Sequence, residues 1–134
     1  MQHPNFEIID RFFDAYGRRD RQALAQVLAG DVTWTFPGRN PFSGVKRGPD
    51  AVVAFFDAMG GVMSRSGIQA ETLIRSANDN YVVEAQHIVT HRADGVNLDH
   101  YWCVLWTFRD GQIIAGRHLA ADQYAVDEFF NATM

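Results

Sequence analysis

The second half of the chain constrains the fold most, because it has the pattern of four consecutive β-strands joined by tight turns. The apolar-rich segments that predict strands are residues 68–77, 81–91, 96–108 and 112–120. Three tripeptides of turn-forming composition separate them: Asn78-Asp79-Asn80, Ala93-Asp94-Gly95 and Arg109-Asp110-Gly111. Connections this short join antiparallel neighbours, so the segment predicts a β-meander.

The first half of the chain has a helical pattern instead. Apolar residues three and four positions apart predict a first helix, and Asp20 can cap a second, shorter helix that carries Leu28. A strand over residues 32–36 and a Pro/Gly-rich loop over residues 37–48 follow, and a third helix opens at Pro49. Helices followed by a meander predict an α+β fold, and 134 residues suit a single domain.

Composition narrows the classes of partner and the compartment. The net charge is −4 and no run of Lys or Arg occurs, which disfavours nucleic acid and anionic membranes as partners. No apolar stretch approaches the roughly 18 residues of a membrane span, and the N-terminus lacks the pattern of a secretory signal. Cys103 is the only cysteine, so no internal disulfide can form, and a cytoplasmic location is expected.

Two histidines are the candidate catalytic residues. His87 shares a strand face with Val83, Ala85 and Val89, and His118 also lies on a face of small or apolar residues. Histidine titrates near neutral pH and can both donate and accept a proton. Two histidines facing one apolar cavity would move a proton between substrate atoms or activate a water, whereas a histidine bonded to a core partner would be structural.

The register of the last hairpin stays open at this level. A two-residue turn at Asp110-Gly111 places His118 beside Cys103, and a three-residue turn with a glycine bulge places it beside Trp102. A slip of one residue exchanges the two faces of a strand. Which face of the segment 96–108 lines a pocket therefore depends on the turn.

Aromatic and apolar residues supply the expected walls of that pocket. The substrate-binding candidates are Trp34, Phe36, Trp102, Phe55 and Met59. Asp122 is a candidate carboxylate at the rim, and it also has the position of an N-cap for a short C-terminal helix. The chain has no metal-ligand spacing and no Gly-rich nucleotide loop, so neither a metal nor a cofactor is expected.

Four groups of residues occur in an order that is informative. They are residues 12–16 through Asp20, residues 31–34, Pro37-Gly38 with Gly44 and Gly48, and residues 108–113. This order resembles the nuclear transport factor 2-like superfamily, and more narrowly its SnoaL-like and ketosteroid isomerase-like members, over nearly the whole chain. The resemblance implies a cone-shaped fold, in which a curved, mostly antiparallel sheet wraps around three helices and one central pocket. It also implies a homodimer packed through the sheet.

The resemblance further implies that the catalytic groups of known members are missing. Phe12, Phe36 and Val104 stand where the steroid isomerases have a tyrosine, a proton-shuttling aspartate and an oxyanion-hole acid. His87 and His118 align with the two aspartates of limonene-epoxide-hydrolase-like members. In this resemblance, the two histidines are the groups that could replace the family's chemistry.

Two functions fit these observations. The first is an enzyme that carries out cofactor-independent proton transfer, of the isomerase, cyclase or epoxide-hydrolase type, on a small hydrophobic molecule. His118 and His87 would be its acid and base. The alternative is a non-catalytic ligand-binding or dimerisation domain of the same fold, which the missing acids and the aromatic fraction of 13% favour.

Overall fold

The computed structural model describes residues 3–133, and within them the chain forms four helices and six strands. The helices are α1 (Pro4–Arg18), α2 (Arg21–Val27), α3 (Pro49–Arg65) and α4 (Gln123–Thr133). The strands are β1 (Leu28–Phe36), β2 (Gly44–Arg47), β3 (Gln69–Ala77), β4 (Tyr81–Val89), β5 (Asp99–Arg109) and β6 (Gln112–Ala120). The predicted α+β class is confirmed. No helix within this range is both long and apolar enough to cross a membrane.

All six strands belong to one mixed sheet with the order β2-β1-β6-β5-β4-β3. Strands β1 and β6 run parallel, and the other neighbouring pairs are antiparallel. The predicted meander is strands β3 to β6. Alternate side chains of β5 are buried, which identifies an inner face that the helices cover and an outer face on the opposite side.

Local signals explain where the first two helices begin and end. Pro4 opens α1 behind His3, whose ring accepts a hydrogen bond from the backbone N–H of Asn5. Arg19 ends the helix in a left-handed conformation. Asp20 then caps α2 by accepting from the backbone N–H of Ala23 at 3.1 Å, as the sequence predicts.

Strand β1 is longer than its sequence pattern indicates. Leu28, predicted to end the second helix, is its first residue, and Gly30 lies inside it. Pairing with β6 accounts for the early start of the strand, because Leu28 pairs with Ile113. Strand β2 itself lies in the segment predicted to be a loop, and it pairs with residues 33–36 of β1. In both places pairing with another strand overrides local turn propensity.

The hairpin between β5 and β6 adopts neither of the two predicted registers. Its turn is the two-residue one, since Phe108 pairs with Ile113, but the register then shifts by one residue. Ile114 is the extra residue of a β-bulge on β6. As a result His118 lies opposite Val104, on the inner face.

Candidate functional site

A cavity of about 440 Å³ lies between the inner face of the sheet and helix α3. The helix contributes apolar side chains to its wall, and β3, β4, β5 and β6 contribute the opposite side. Some lining residues are also solvent-exposed: Phe13, Gly60, Ser64, Ala70 and Thr72. The entrance therefore lies between α3 and the edge strand β3.

The chain has three tryptophans, and all three line this cavity. Each indole N–H donates a hydrogen bond to a different polar side chain of the cavity wall. These bonds run from Trp34 to His118 Nδ1 (3.0 Å), from Trp102 to Gln86 Oε1 (2.7 Å) and from Trp106 to Glu84 Oε1 (2.7 Å). Because an indole N–H can only donate, each bond determines which atom of its partner must accept.

Gly116 makes room for two of these indoles. It pairs with Trp34 on one side and with Trp106 on the other, and the two rings meet edge to face with centroids 4.9 Å apart. A Cβ atom on Gly116 would lie 2.0 Å from the Trp34 ring. The glycine therefore determines where the Trp34 indole lies, and so where its N–H meets His118.

The bond from Trp34 determines the tautomer of His118. Since Nδ1 accepts this bond, the neutral ring carries its proton on Nε2. Four aromatic rings surround the imidazole: Trp34, Phe36, Phe55 and Trp102. Burial lowers the pKa of His118 to about 3, so the ring is neutral at physiological pH. At neutral pH His118 therefore carries an uncharged N–H group on Nε2.

Glu84 is the one acidic side chain on the cavity wall within the described residues. Its Oε1 accepts the Trp106 bond, and its Oε2 lies 3.4 Å from Nε of Arg75. The second contact is an ion pair without the alignment of a hydrogen bond. An N–H donor and a guanidinium group both stabilise a carboxylate in its ionised form.

Glu84 and His118 lie in one row across the sheet. Glu84 pairs with Val104 and Val104 pairs with His118, all on the inner face. Two strand spacings separate the Cα atoms of Glu84 and His118, about 10 Å in total. The short Val104 side chain between them leaves space for part of a small ligand. Gln86 lies beside Glu84 on the same face of β4 and turns its amide oxygen toward Trp102.

His87 does not reach the cavity, so the predicted meeting of the two histidines is wrong. It pairs with Tyr101 on the outer face, where its ring stacks on the tyrosine with centroids 4.7 Å apart. Its Nε2 lies 2.7 Å from Oδ1 of Asp99. The alternation of side chains along β4 is as predicted. The face with Glu84 nevertheless points inward, because two indole N–H groups stabilise the polar side chains there.

The predicted wall residues divide into two groups. Trp34, Trp102 and Met59 line the cavity. Phe36 and Phe55 instead pack behind His118, with ring centroids 5.1 and 6.1 Å from the imidazole. They shield the ring from water and position it without forming the cavity surface.

Asp122 lies outside the cavity. It is exposed, and its Oδ1 accepts from the backbone N–H of Ala125 at 3.2 Å, which is the geometry of a helix N-cap for α4. The expectation of a rim carboxylate at this position is therefore wrong. Exposed polar residues that precede a helix are commonly N-caps, and capping of α4 explains why an aspartate stands at this position.

The sequence-based candidates omitted Glu84 and Gln86. Their signal is present in the sequence, because they belong to the face of β4 opposite the one that carries His87. That face consists of Val82, Glu84, Gln86 and Ile88. The missing information was that the three tryptophans would all lie on the inner face and supply hydrogen-bond donors to it.

The arrangement can bind and polarise a carbonyl group. His118 Nε2–H and the Gln86 amide N–H groups are neutral donors, and Glu84 is an acceptor that can take a proton. Within residues 3–133 no three His, Cys, Asp or Glu side chains are grouped so that they could hold a metal ion.

Comparison with known proteins gives matches over most of the chain. Residues 9–116 match the family profile described as the SnoaL-like domain. The uncharacterised protein Rv0034 of Mycobacterium tuberculosis is 31% identical over 128 residues, which cover 94% of this chain and 95% of that protein.

Solved structures with a similar fold cover nearly the whole chain. Bal32a, from a soil-derived mobile gene cassette, superposes with a TM-score of 0.76 at 29% identity and covers 95% of this chain and 96% of its own. An NTF2-like protein from Burkholderia xenovorans LB400 superposes with a TM-score of 0.75 at 23% identity, covering 96% of each chain. The second match shows the fold alone. With its cone-type α+β fold and a profile match over residues 9–116, the chain belongs to the SnoaL-like domain family.

Proposed function

We propose that the protein catalyses cofactor-independent proton transfer on a small hydrophobic carbonyl compound bound in the cavity. The observation that carries the proposal is the row of Glu84, Val104 and His118, in which a carboxylate and a neutral N–H donor face the same aromatic cavity. Glu84 is the one acidic side chain among the described residues of the cavity wall, so it is the only carboxylate there that could accept a proton from a bound compound.

In the proposed reaction Glu84 is the general base. Its carboxylate takes a proton from the carbon next to the substrate carbonyl, and the electrons of that C–H bond form a C=C bond. The carbonyl π electrons move to oxygen, where His118 Nε2–H donates a hydrogen bond to the developing enolate. Returning the proton from Glu84 to the same carbon exchanges hydrogen, and returning it to another carbon isomerises the substrate.

The proposal gives His118 a role different from the acid or base expected from sequence. A neutral imidazole donor is matched to an enolate oxygen because it stabilises the charge without transferring its own proton. The surrounding rings exclude water, which strengthens this hydrogen bond.

The test is hydrogen exchange into an enolisable ketone of suitable size. We expect the protein to accelerate deuterium incorporation from D2O into 2-tetralone, measured by NMR, and Glu84→Gln to lower the rate by about 100-fold or more. The glutamine keeps an oxygen that can accept from Trp106, so the cavity wall stays in place. The same change on the outer face, Glu71→Gln, is the control and should leave the rate unchanged.

Two results would contradict the proposal. One is a wild-type protein that binds 2-tetralone without accelerating exchange, which would indicate a ligand-binding domain. The other is exchange that survives Glu84→Gln at the wild-type rate, since the base would then be a different group.

We propose in addition that a second copy of the chain covers the outer face. Four large apolar side chains of this face are at least 45% exposed: Ile74, Tyr81, Tyr101 and Leu119. A monomer that leaves such side chains on neighbouring strands in water has a surface suited to association. This proposal agrees with the sheet-packed homodimer that the family resemblance implies.

The dimer proposal is tested by charge substitution within this surface. Tyr101→Lys is expected to shift the mass in sedimentation equilibrium from dimer to monomer, because two copies would bury like charges against each other. Tyr124→Lys is the matched control, since Tyr124 is 89% exposed on α4 and lies outside the sheet. A wild-type protein that sediments as a monomer at high concentration would contradict the proposal.

A further inference from the structure

We propose that the cavity selects neutral carbonyl compounds and excludes carboxylates of the same shape, because among the described residues that line it the donors are uncharged and the one charged group is Glu84. This inference rests on the proposed function only in taking the cavity as the binding site. It concerns binding, and it holds whether or not the bound compound reacts.

The first support is that His118 cannot readily become a cation. Its Nδ1 accepts from the Trp34 indole, and a protonated ring would place an N–H group against the indole N–H. The rings packed around it on β1, α3 and β5 are all aromatic: Trp34, Phe36, Phe55 and Trp102. No carboxylate among these contacts would stabilise the imidazolium form. His118 therefore offers a hydrogen bond without a positive charge.

The second support is that the nearest cation already has partners. Arg75 lies 3.4 Å from Glu84 Oε2 and donates to Asp10 Oδ1 at 3.1 Å and to the backbone oxygen of Phe6 at 3.3 Å. Its guanidinium also lies over the Phe6 ring, 4.6 Å from the centroid. With two carboxylates beside it, this charge does not leave the cavity positive.

The third support is the amide orientation of Gln86. Its Oε1 accepts from the Trp102 indole, so its nitrogen is the atom that remains to donate. The cavity then has two neutral donors, on Gln86 and His118, and one acceptor, on Glu84. A carbonyl oxygen matches the donors, whereas a carboxylate adds a negative charge that Glu84 repels.

The size of the effect follows from Coulomb's law. Two like charges about 6 Å apart in a site of effective dielectric constant about 20 disfavour binding by about 100-fold in affinity, and the Arg75 guanidinium beside Glu84 offsets part of this repulsion. A ligand that spans the row between Glu84 and His118 would place its carboxylate at about this distance. We therefore expect a ketone to bind at least about 10-fold more tightly than the matched carboxylate.

The probes for the test are 2-acetylnaphthalene and 2-naphthoate, which share the fused ring and differ in a methyl ketone against a carboxylate. Each is titrated into uniformly 15N-labelled protein at neutral pH while the three indole N–H signals are followed. Because all three indoles line the cavity, binding there should shift these signals. We expect the ketone to saturate the shifts at a concentration at least about 10-fold lower than the carboxylate.

Glu84→Gln provides the second measurement. Removal of the negative charge is expected to strengthen binding of 2-naphthoate by at least about 10-fold and to change ketone binding little. The ratio of ketone affinity to carboxylate affinity should therefore become smaller. Glu71→Gln on the outer face should leave this ratio as in the wild type. The wild-type ratio alone tests the inference if the Glu84 variant does not fold.

Equal or tighter binding of 2-naphthoate to the wild-type protein would overturn the inference, as would the absence of indole shifts with the ketone at millimolar concentration. A narrowing of the ratio in Glu84→Gln supports it, and an unchanged ratio in that variant overturns it. Absence of deuterium exchange in bound 2-tetralone contradicts the proposed catalysis and leaves the selectivity intact, so the two failures are distinguishable.

Discussion

Acidification is expected to destabilise the protein by about 3 kcal/mol between pH 6.5 and pH 4 through His118 alone. Burial lowers the pKa of His118 from its ordinary value of 6.5 to about 3. As the pH falls below 6.5 the unfolded chain binds a proton at this residue, while the folded chain stays neutral until about pH 3. The unfolded state gains about 1.4 kcal/mol per pH unit in that window, so the stability present above pH 6.5 is lost.

The variant that isolates this effect is His118→Gln. Glutamine can accept the Trp34 indole bond and does not titrate, so the variant keeps the hydrogen bond and loses the proton uptake. The quantity to measure is the free energy of unfolding in urea for both proteins from pH 7 to pH 4. Their difference should change by about 3 kcal/mol over that range, in favour of the variant at low pH.

The wild type and the variant have to be compared because a second histidine, His100, also reduces stability in acid. Burial also lowers the pKa of His100, opposed by the carboxylates of Asp122 and Asp99, so it too makes the wild-type protein less stable in acid. Because His100 is present in both proteins, its contribution cancels. Parallel curves of stability against pH for the wild type and His118→Gln would show that His118 is not held neutral.

Gly116→Ala is expected to reduce the free energy of unfolding by about 3 kcal/mol or more. The added methyl group would lie 2.0 to 2.5 Å from three atoms of the Trp34 ring, which is itself 1% exposed and packs edge to face against Phe56 and Trp106. Displacement of the ring also lengthens its hydrogen bond to His118. We expect the indole N–H signal of Trp34 to move in the same variant.

Gly61→Ala is the matched control for this substitution. Gly61 lies within α3, and a Cβ atom there would meet nothing within 4 Å. Alanine in a helix interior is favoured over glycine, so the same chemical change should raise stability by about 0.5–1 kcal/mol. If thermal unfolding shows both variants equally stable, Gly116 is not required by the position of Trp34.

The elements that depend on local sequence could be predicted. The helix cap at Asp20 acts within its own turn, and the strands of the meander follow from tight turns between apolar segments. Strand β2 and the first residues of β1 could not be predicted in this way. The first residues of β1 are extended because Leu28 pairs with Ile113, and a pairing across some 80 residues leaves no local signal. Strand β2 is a strand because it pairs with residues 33–36 of β1, although its own sequence has the Pro/Gly content of a loop.

Prediction of the site residues depended on knowing which face of each strand points inward. The alternation of side chains along β4 was predicted correctly. The sequence pattern, however, favoured the face with Ala85 and His87 as the inner one, since small apolar residues suit a core. The structure buries Glu84 beside Gln86 instead, because tryptophans on β5 donate to both. The bulge at Ile114 similarly lies outside both registers considered for the hairpin.

His118 was identified correctly as an inner-face residue, but its chemistry depends on a contact that sequence does not encode locally. The partner of its Nδ1 is 84 positions away on a parallel strand. That single hydrogen bond makes Nδ1 an acceptor and leaves the proton on Nε2, and for this reason the base of the proposed reaction is Glu84 rather than His118.

The most direct test of this account is the long-range 1H–15N spectrum of the His118 imidazole between pH 7 and pH 5. The account predicts the Nε2–H tautomer, with Nδ1 unprotonated, and no titration anywhere in that range. A spectrum of the Nδ1–H tautomer, or a titration midpoint near pH 6.5, would contradict it.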